Sequence, residues 1–221
     1  MKITIDILKS TVLKKGYKWF DNAPNIIGIR STMDVPNVFN DFLFIVWKQK
    51  AMPSGVNKTD WLSKNLIKTE SEYANLVGKE RIMAWTITTD PGTYWLNNPL
   101  SKLGTAILKP NQYINSYSLG LHQGKKDHPA LVQRGVVTVF RDNDKDNKSD
   151  ERIKEESGLF GINIHRSNLN GRTMSIGKWS AGCQVFPVKS DHDKLLAICN
   201  LYKEELGNKF TYTLLDEKSF Y

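Results

Sequence analysis

The stretch GLFGINIHRSNLNGRTMSIGKWSAGCQVFP, Gly158 to Pro187, sets two apolar runs on either side of a polar loop. In the first, GLFGINIHR (158–166), Phe160, Ile162 and Ile164 alternate with Gly161, Asn163 and His165. That is the period of a strand with one buried face, and it puts His165 on the face opposite the isoleucines. The second, CQVFP (183–187), is a short apolar run that follows Ser180-Ala181-Gly182. Joined by the loop 167–182, the two runs fit adjacent strands, with His165 ending one and Cys183 opening the other.

Working outward, strand signals recur on both sides. NIIGIR (25–30), FLFIVWK (42–48), RIMAWTITT (81–89), GTAIL (104–108), VVTVF (136–140) and KFTYTLL (209–215) all read as strands bounded by turn residues. Pro91-Gly92 marks a turn after Thr89-Asp90. One helix is expected after Pro187: Ser190-Asp191-His192-Asp193 as its cap, then Leu195, Ile198, Cys199, Tyr202 and Leu206 at helical spacing, with Gly207 as its stop. In that reading His192 is a surface residue and Cys199 is core. The first 20 residues offer either an alternating strand (Ile3, Ile5, Ile7) or a short helix ending at Gly16. Gln49 to Gly78 is polar, anchored by Trp61, Leu62, Leu66 and Ile67, and reads as an inserted loop with a short helix. The expected class is α+β, β-rich: residues 81–221 form the main domain, and residues 1–80 add strands and a polar insertion to the same globule.

With 221 residues and 40% hydrophobic content, the chain can bury one good core. A net charge of +8 calls for an anionic partner: nucleic acid, acidic lipid or an anionic cell-wall polymer. Lys14-Lys15 and Lys125-Lys126 are too short for a nucleic-acid patch, so nucleic acid is not expected. Asp6 and Lys9 interrupt the N-terminal apolar run. The expectation is a chain made in a cytoplasm without a signal peptide and without a transmembrane segment. Two cysteines make no disulfide framework.

Cys183 can be a small buried hydrophobe, half of a disulfide or a nucleophile. Gly182 lets a ligand approach the backbone, and Ser180 is a small polar neighbour. A nucleophilic cysteine also needs a base. Of the four histidines, His122, His128, His165 and His192, only His165 stands at a strand end facing the Gly-Cys turn.

His165 and Ser180-x-Gly182-Cys183, with residues 166–182 between His and Cys, resemble the catalytic signature of the L,D-transpeptidase family. Thr88-Thr89-Asp90-Pro91-Gly92-Thr93-Tyr94 is similar to the turn that enters that family's core upstream of the histidine. Three positions depart from the pattern: Ala181 stands where the family has His, Arg166 where it has Gly, and Val185 where it has Arg or Asn. The order of the motifs differs from NlpC/P60 peptidases, and the sortase segment Thr-Leu-x-Thr before Cys is absent.

The resemblance implies a β-sandwich or barrel core with the C-terminal helix packed on it. It implies Cys183 as the nucleophile of a thioester acyl-enzyme, His165 as the base, the backbone N–H groups of Gly182 and Cys183 as oxyanion donors, and Ser180 as the residue that orients the turn. Trp179 would wall the cleft, and Arg166, Arg172 or Gln184 would replace the missing recognition side chain. His122 either lines the pocket or is a loop histidine. The implied partners are peptidoglycan stem peptides in an anionic cell wall, with no cofactor required. The expected reaction is hydrolysis, as an L,D-carboxypeptidase or endopeptidase acting after lysis or on a phage particle. The alternatives are cross-linking transpeptidation, or a silent wall-binding or virion module.

A second motif is acidic. Asp142, Asp144, Asp146 and Asp150 fall at positions 1, 3, 5 and 9 of a calcium-loop pattern, with Asn147 in place of the turn glycine and Glu151 at a position unsuited to the bidentate ligand. The segment is either a structural calcium loop or a solvated acidic turn.

Overall fold

The computed structural model describes residues 2–33, 35, 37–150, 152 and 154–221. Its first element is a helix, α1 (Ile5–Lys14), started by Thr4, whose Oγ1 accepts the Ile7 N–H at 3.3 Å. Asp6 in the first turn and Lys14 in the last each complement the dipole end they face. Leu8 and Val12 on its inner face pack on Ile27 and Ile29 of β1 (Asn25–Arg30) and on Phe44 and Val46 of β2 (Asp41–Lys48). This explains why every residue of β1 is buried: α1 covers one face, and the main core takes Ile26 on the other.

The polar insertion carries two short helices, α2 (Lys58–Lys64) and α3 (Glu70–Leu76), capped by Asn57 and Thr69. β3 (Glu80–Ile87) follows, then a one-turn helix α4 (Thr93–Asn97) and β4 (Thr105–Leu108). Next come β5 (Asn111–Leu121) and β6 (Pro129–Gln133), which the apolar pattern did not announce. β7 (Val137–Asp142), β8 (Glu155–Gly158), β9 (Ile164–Arg166), β10 (Gln184–Phe186), α5 (Lys189–Tyr202) and β11 (Phe210–Asp216) complete the order.

Eight strands form one sheet in the order β10-β9-β6-β5-β11-β1-β2-β3, and β4-β7-β8 form a second. The pairs β1–β11 and β9–β10 are parallel; the other pairs are antiparallel. Just beyond β3, Thr88 bridges to Val185 in β10, so the two edges of the large sheet meet and it is nearly closed. Inside lie Trp47, Trp85, Tyr117, Tyr212 and Phe186, together with the α5 residues Leu195, Ile198, Cys199 and Tyr202. A strand-rich α+β fold with a C-terminal helix on its core is therefore present, and Cys199 is core as expected.

Three local expectations need correction. GLFGINIHR is not one strand: only Ile164–Arg166 pair in β9, while Gly158 ends β8. Between them Gly161 turns with φ +72°, and the N–H groups of Phe160 and Ile162 both go to Gln133 Oε1 (3.1 and 2.9 Å) in place of a strand partner. α5 starts at Lys189, with Val188 as a cap that contributes no side-chain bond, so Ser190–Asp193 lie inside the helix; it ends at Tyr202, before Gly207. His192 is fully buried against Phe186, its Nε2 3.4 Å from the Ile164 carbonyl, because the first turn of α5 lies on β9 and β10.

Candidate active site

The residues that suggested a site come together on the outer face of β9 and β10. Val185 sits beside His165 in the parallel register, and neighbours in register point the same way. Cys183, two residues before Val185, shares that face, and both pack under Phe39 and Ile176. The cover is tied down by Asn37, which accepts the Ile176 N–H on its carbonyl (3.1 Å) and the Gly177 N–H on Oδ1 (2.5 Å).

The turn that presents Cys183 is held by Ser180. Its hydroxyl donates to the Cys183 carbonyl at 2.8 Å and accepts the Gly182 N–H at 3.2 Å. Gly182 has φ +120°, and a Cβ there would lie 2.4 Å from the Ala106 carbonyl oxygen, so only glycine fits. Gly92 of the upstream turn donates to the Ser180 carbonyl (2.9 Å), and a Cβ on it would lie 2.0 Å from the Gly177 oxygen. The two stretches that carried the resemblance, 88–94 and 180–185, are thus in backbone contact.

Cys183 is 8% exposed. Its Sγ accepts the Asn163 N–H and donates to the Gly161 carbonyl, each at 3.4 Å. Burial pushes the thiol up to about 11, and the Asn163 N–H only partly offsets this. The resting group is therefore a thiol. The Gly182 N–H, expected as an oxyanion donor, is taken by Ser180, whereas the Cys183 N–H bonds to none of the described residues.

His165 is 1% exposed, and its Nδ1 is 2.7 Å from the Arg166 carbonyl oxygen. A carbonyl only accepts, so the ring proton is on Nδ1 and Nε2 carries a lone pair. That Nε2 is buried and has no hydrogen-bond partner. Burial, then the neighbouring His122, holds His165 well below the ordinary histidine range, so the ring is neutral. His122 stacks on it, with ring centroids 3.9 Å apart and planes at 23°. His128, whose ring lies 5.2 Å from that of His165, sends its Nε2 to the same Arg166 carbonyl at 3.0 Å. Burial lowers His128 too and brings His122 down to about 4, with His128 and Lys125 adding to the latter.

The other expected site residues separate from this group. Gln184 is fully buried inside the sheet, bonded to Tyr212 Oη (2.9 Å), because it alternates to the face opposite Cys183. Arg166 is also buried, its guanidinium committed to the carbonyls of Asp127 (2.6 Å) and Ser167 (3.3 Å). Neither is available to a ligand in the cleft. Arg172 is exposed on the loop, its backbone bridged to Val188. Trp179 is 40% exposed near Trp95, whose Nε1 donates to the Lys178 carbonyl at 3.0 Å. Beside Ala181 opens a pocket of about 180 Å³ with Trp95, Ala106, Arg141 and Phe160 among its walls.

Of the acidic motif, Asp144, Asp146 and Asp150 meet at the surface, with one oxygen of each within 4.8 Å of the others. Asp142 does not join them: it ends β7 opposite Thr105, and its side chain is buried. Glu151 lies outside the described residues. No helix among the described residues is long and apolar enough to cross a membrane.

Asn163 and His128 were not singled out in the sequence. Alternation had placed Asn163 on the face of His165, which was the available signal; nothing in KKDHPAL marks His128. Comparison with protein families, curated proteins and solved structures finds no match for this chain.

Proposed function

We propose that this protein is a cysteine-dependent acyl-transfer enzyme of L,D-transpeptidase type, acting on peptidoglycan stem peptides mainly by hydrolysis. The observation that carries the reading is His165: its Nδ1–H is spent on the Arg166 carbonyl, leaving an unprotonated, unpartnered Nε2 on a ring whose strand face also carries Cys183. A base oriented by a fixed acceptor, one strand from a thiol in a glycine turn, is the arrangement nucleophilic acyl transfer needs.

The pair starts neutral. An entering stem peptide turns the thiol away from the Gly161 carbonyl, and His165 Nε2 takes the Sγ proton as sulfur adds to the peptide carbonyl carbon. The oxyanion takes the free Cys183 N–H. His165 then returns the proton to the departing amine, the C–N bond breaks, and a thioester remains on Cys183. Water, deprotonated by His165, resolves the thioester to a carboxylate; an amine acceptor would give a cross-link. The pocket lined by Ala181, two residues before Cys183 in the chain, is the seat proposed for part of the stem peptide.

A second reading, a silent wall-binding module, is favoured by the burial of the thiol and its upward shift to about 11. Mass spectrometry of purified muropeptides after incubation separates the two. Loss of the terminal residue by wild-type protein, abolished in Cys183→Ala, supports the enzyme. Unaltered muropeptides with retained wall binding support the module.

A further inference from the structure

An oxyanion in an acyl-transfer site is held by two or more aimed donors. Of the two backbone donors expected here, only the Cys183 N–H is uncommitted among the described residues, because the Gly182 N–H already bonds to Ser180 Oγ. Ala181 offers no side-chain donor, and Gln184 faces the sheet interior. The place of the committed Gly182 donor can be taken by a group outside the turn.

Asn163 shows which one. Its Oδ1 accepts the Gln133 backbone N–H at 2.9 Å, and a backbone amide can only donate, so the orientation of the side-chain amide is fixed. Its Nδ2 therefore faces His122 Nδ1, 3.0 Å away, as a donor. His122 Nδ1 must hold a lone pair, and in the neutral ring the proton is on Nε2. This Nε2 makes no hydrogen bond to the described residues, yet it is not one of the buried orphan atoms, a group in which His165 Nε2 is the sole representative of the three clustered rings. The same Asn163 sends its backbone N–H to Cys183 Sγ, and His122 stacks on His165, so one residue aligns thiol, base and third ring.

We propose that His122 is a third catalytic group: a neutral imidazole, fixed by Asn163, whose Nε2–H donates to the substrate carbonyl oxygen as Cys183 attacks. No proton is transferred by His122; its hydrogen bond shortens as charge grows on the oxygen. A neutral ring is what this role requires, since the donor must not titrate with the base. Burial, His128 and Lys125 keep it so. Asn163 is the positioning residue.

The inference rests on the acyl-enzyme reading, and the test separates their failures. Turnover of a disaccharide-tetrapeptide muropeptide is measured for Cys183→Ala, His122→Phe and His122→Gln. The expected result is loss of turnover in the first, and a fall of about 100-fold or more in kcat with KM little changed in the second. His122→Gln, which keeps an N–H donor without a titrating ring, recovers most of that loss with the wild-type pH profile. Wild-type turnover by Cys183→Ala overturns the acyl-enzyme reading and this inference with it. An inactive Cys183→Ala beside a fully active His122→Phe overturns only the inference. Nitrogen-15 NMR of the resting protein tests the tautomer without substrate and in the wild-type fold. Nε2-protonated, Nδ1-bare His122 between pH 5 and 8 is expected, and an Nδ1-protonated ring overturns the proposal.

Discussion

Thr88 and Val185 exchange both backbone hydrogen bonds, N–H to carbonyl in each direction at 2.9 Å. This exchange joins the edges of the eight-stranded sheet, and it lies two residues from Cys183. Val185→Pro removes one donor and puts a ring against the partner strand. It should cost about 1–3 kcal/mol, the loss of a buried backbone hydrogen bond, and loosen the cysteine turn at the same time. Urea unfolding followed by tryptophan fluorescence, with thiol titration on the folded baseline, measures both; an unchanged midpoint would show that closure contributes nothing.

The resting thiol should be slow to alkylate. With burial pushing Cys183 up to about 11, the rate of iodoacetamide labelling should climb steadily through neutral pH and beyond pH 9 without levelling. Cys199, deeper in the core, should stay unlabelled until the protein unfolds. A plateau below pH 8 would mean that a thiolate is already formed.

Phe39 and Ile176 cover the sulfur, so Phe39→Ala should uncover it. Labelling at pH 8 should accelerate several-fold while the far-UV circular dichroism spectrum stays as in wild type. Equal rates in both proteins would assign the slow reaction to the pKa alone.

Gly182→Ala and Gly171→Ala form a matched pair. Both glycines have positive φ, but a Cβ at 171 meets nothing within 4 Å, whereas at 182 it meets the Ala106 carbonyl at 2.4 Å. The positive-φ penalty shared by both is about 1–2 kcal/mol; adding the clash should raise the loss at 182 to roughly 3 kcal/mol or more. Chemical denaturation that finds the two equally damaging would refute the close approach of the Cys183 turn to β4.

Stability should fall on acidification through the histidines. His192 is lowered to about 4 from an ordinary 6.5, chiefly by burial, so the folded state binds fewer protons than the unfolded chain between those values. Its contribution is intact above pH 6.5, declines as pH drops towards 4, and amounts to about 3 kcal/mol at the limit. His122 and His165, also lowered, act in the same direction. His192→Leu removes one such group, whose Nδ1 is buried without a partner, and should narrow the gap between melting temperatures at pH 7 and pH 4.5. Parallel pH curves for variant and wild type would rule this out.

The strands that could be read in the sequence are those whose apolar residues face one core or two, such as β1, β2 and β11. β5 escaped notice because its inward residues are tyrosines set among Asn, Gln and Ser, and Asn115 breaks its alternation with φ +54°. Tyr113 satisfies its hydroxyl on the Lys109 and Thr138 carbonyls, so a polar-looking strand is buried without an apolar signature. At the site, His165 and Cys183 were legible because strand period and one loop place them on neighbouring strands. The histidine cluster was legible only in part: His122 stood as either a pocket or a loop residue and His128 was not singled out, since both lie in the β5–β6 connection, which has no periodicity.

β11, the last strand in the chain, lies between β5 and β1 in the middle of the large sheet, parallel to β1. During synthesis β1, β2 and β3 therefore emerge as an antiparallel meander whose inner edge has no partner until residues 210–216 leave the ribosome. Joining of the two halves of this sheet waits on β11, and contacts of such long sequence separation form slowly. A messenger cut short before β11 would yield chains with β1 as an open edge, prone to pair with one another.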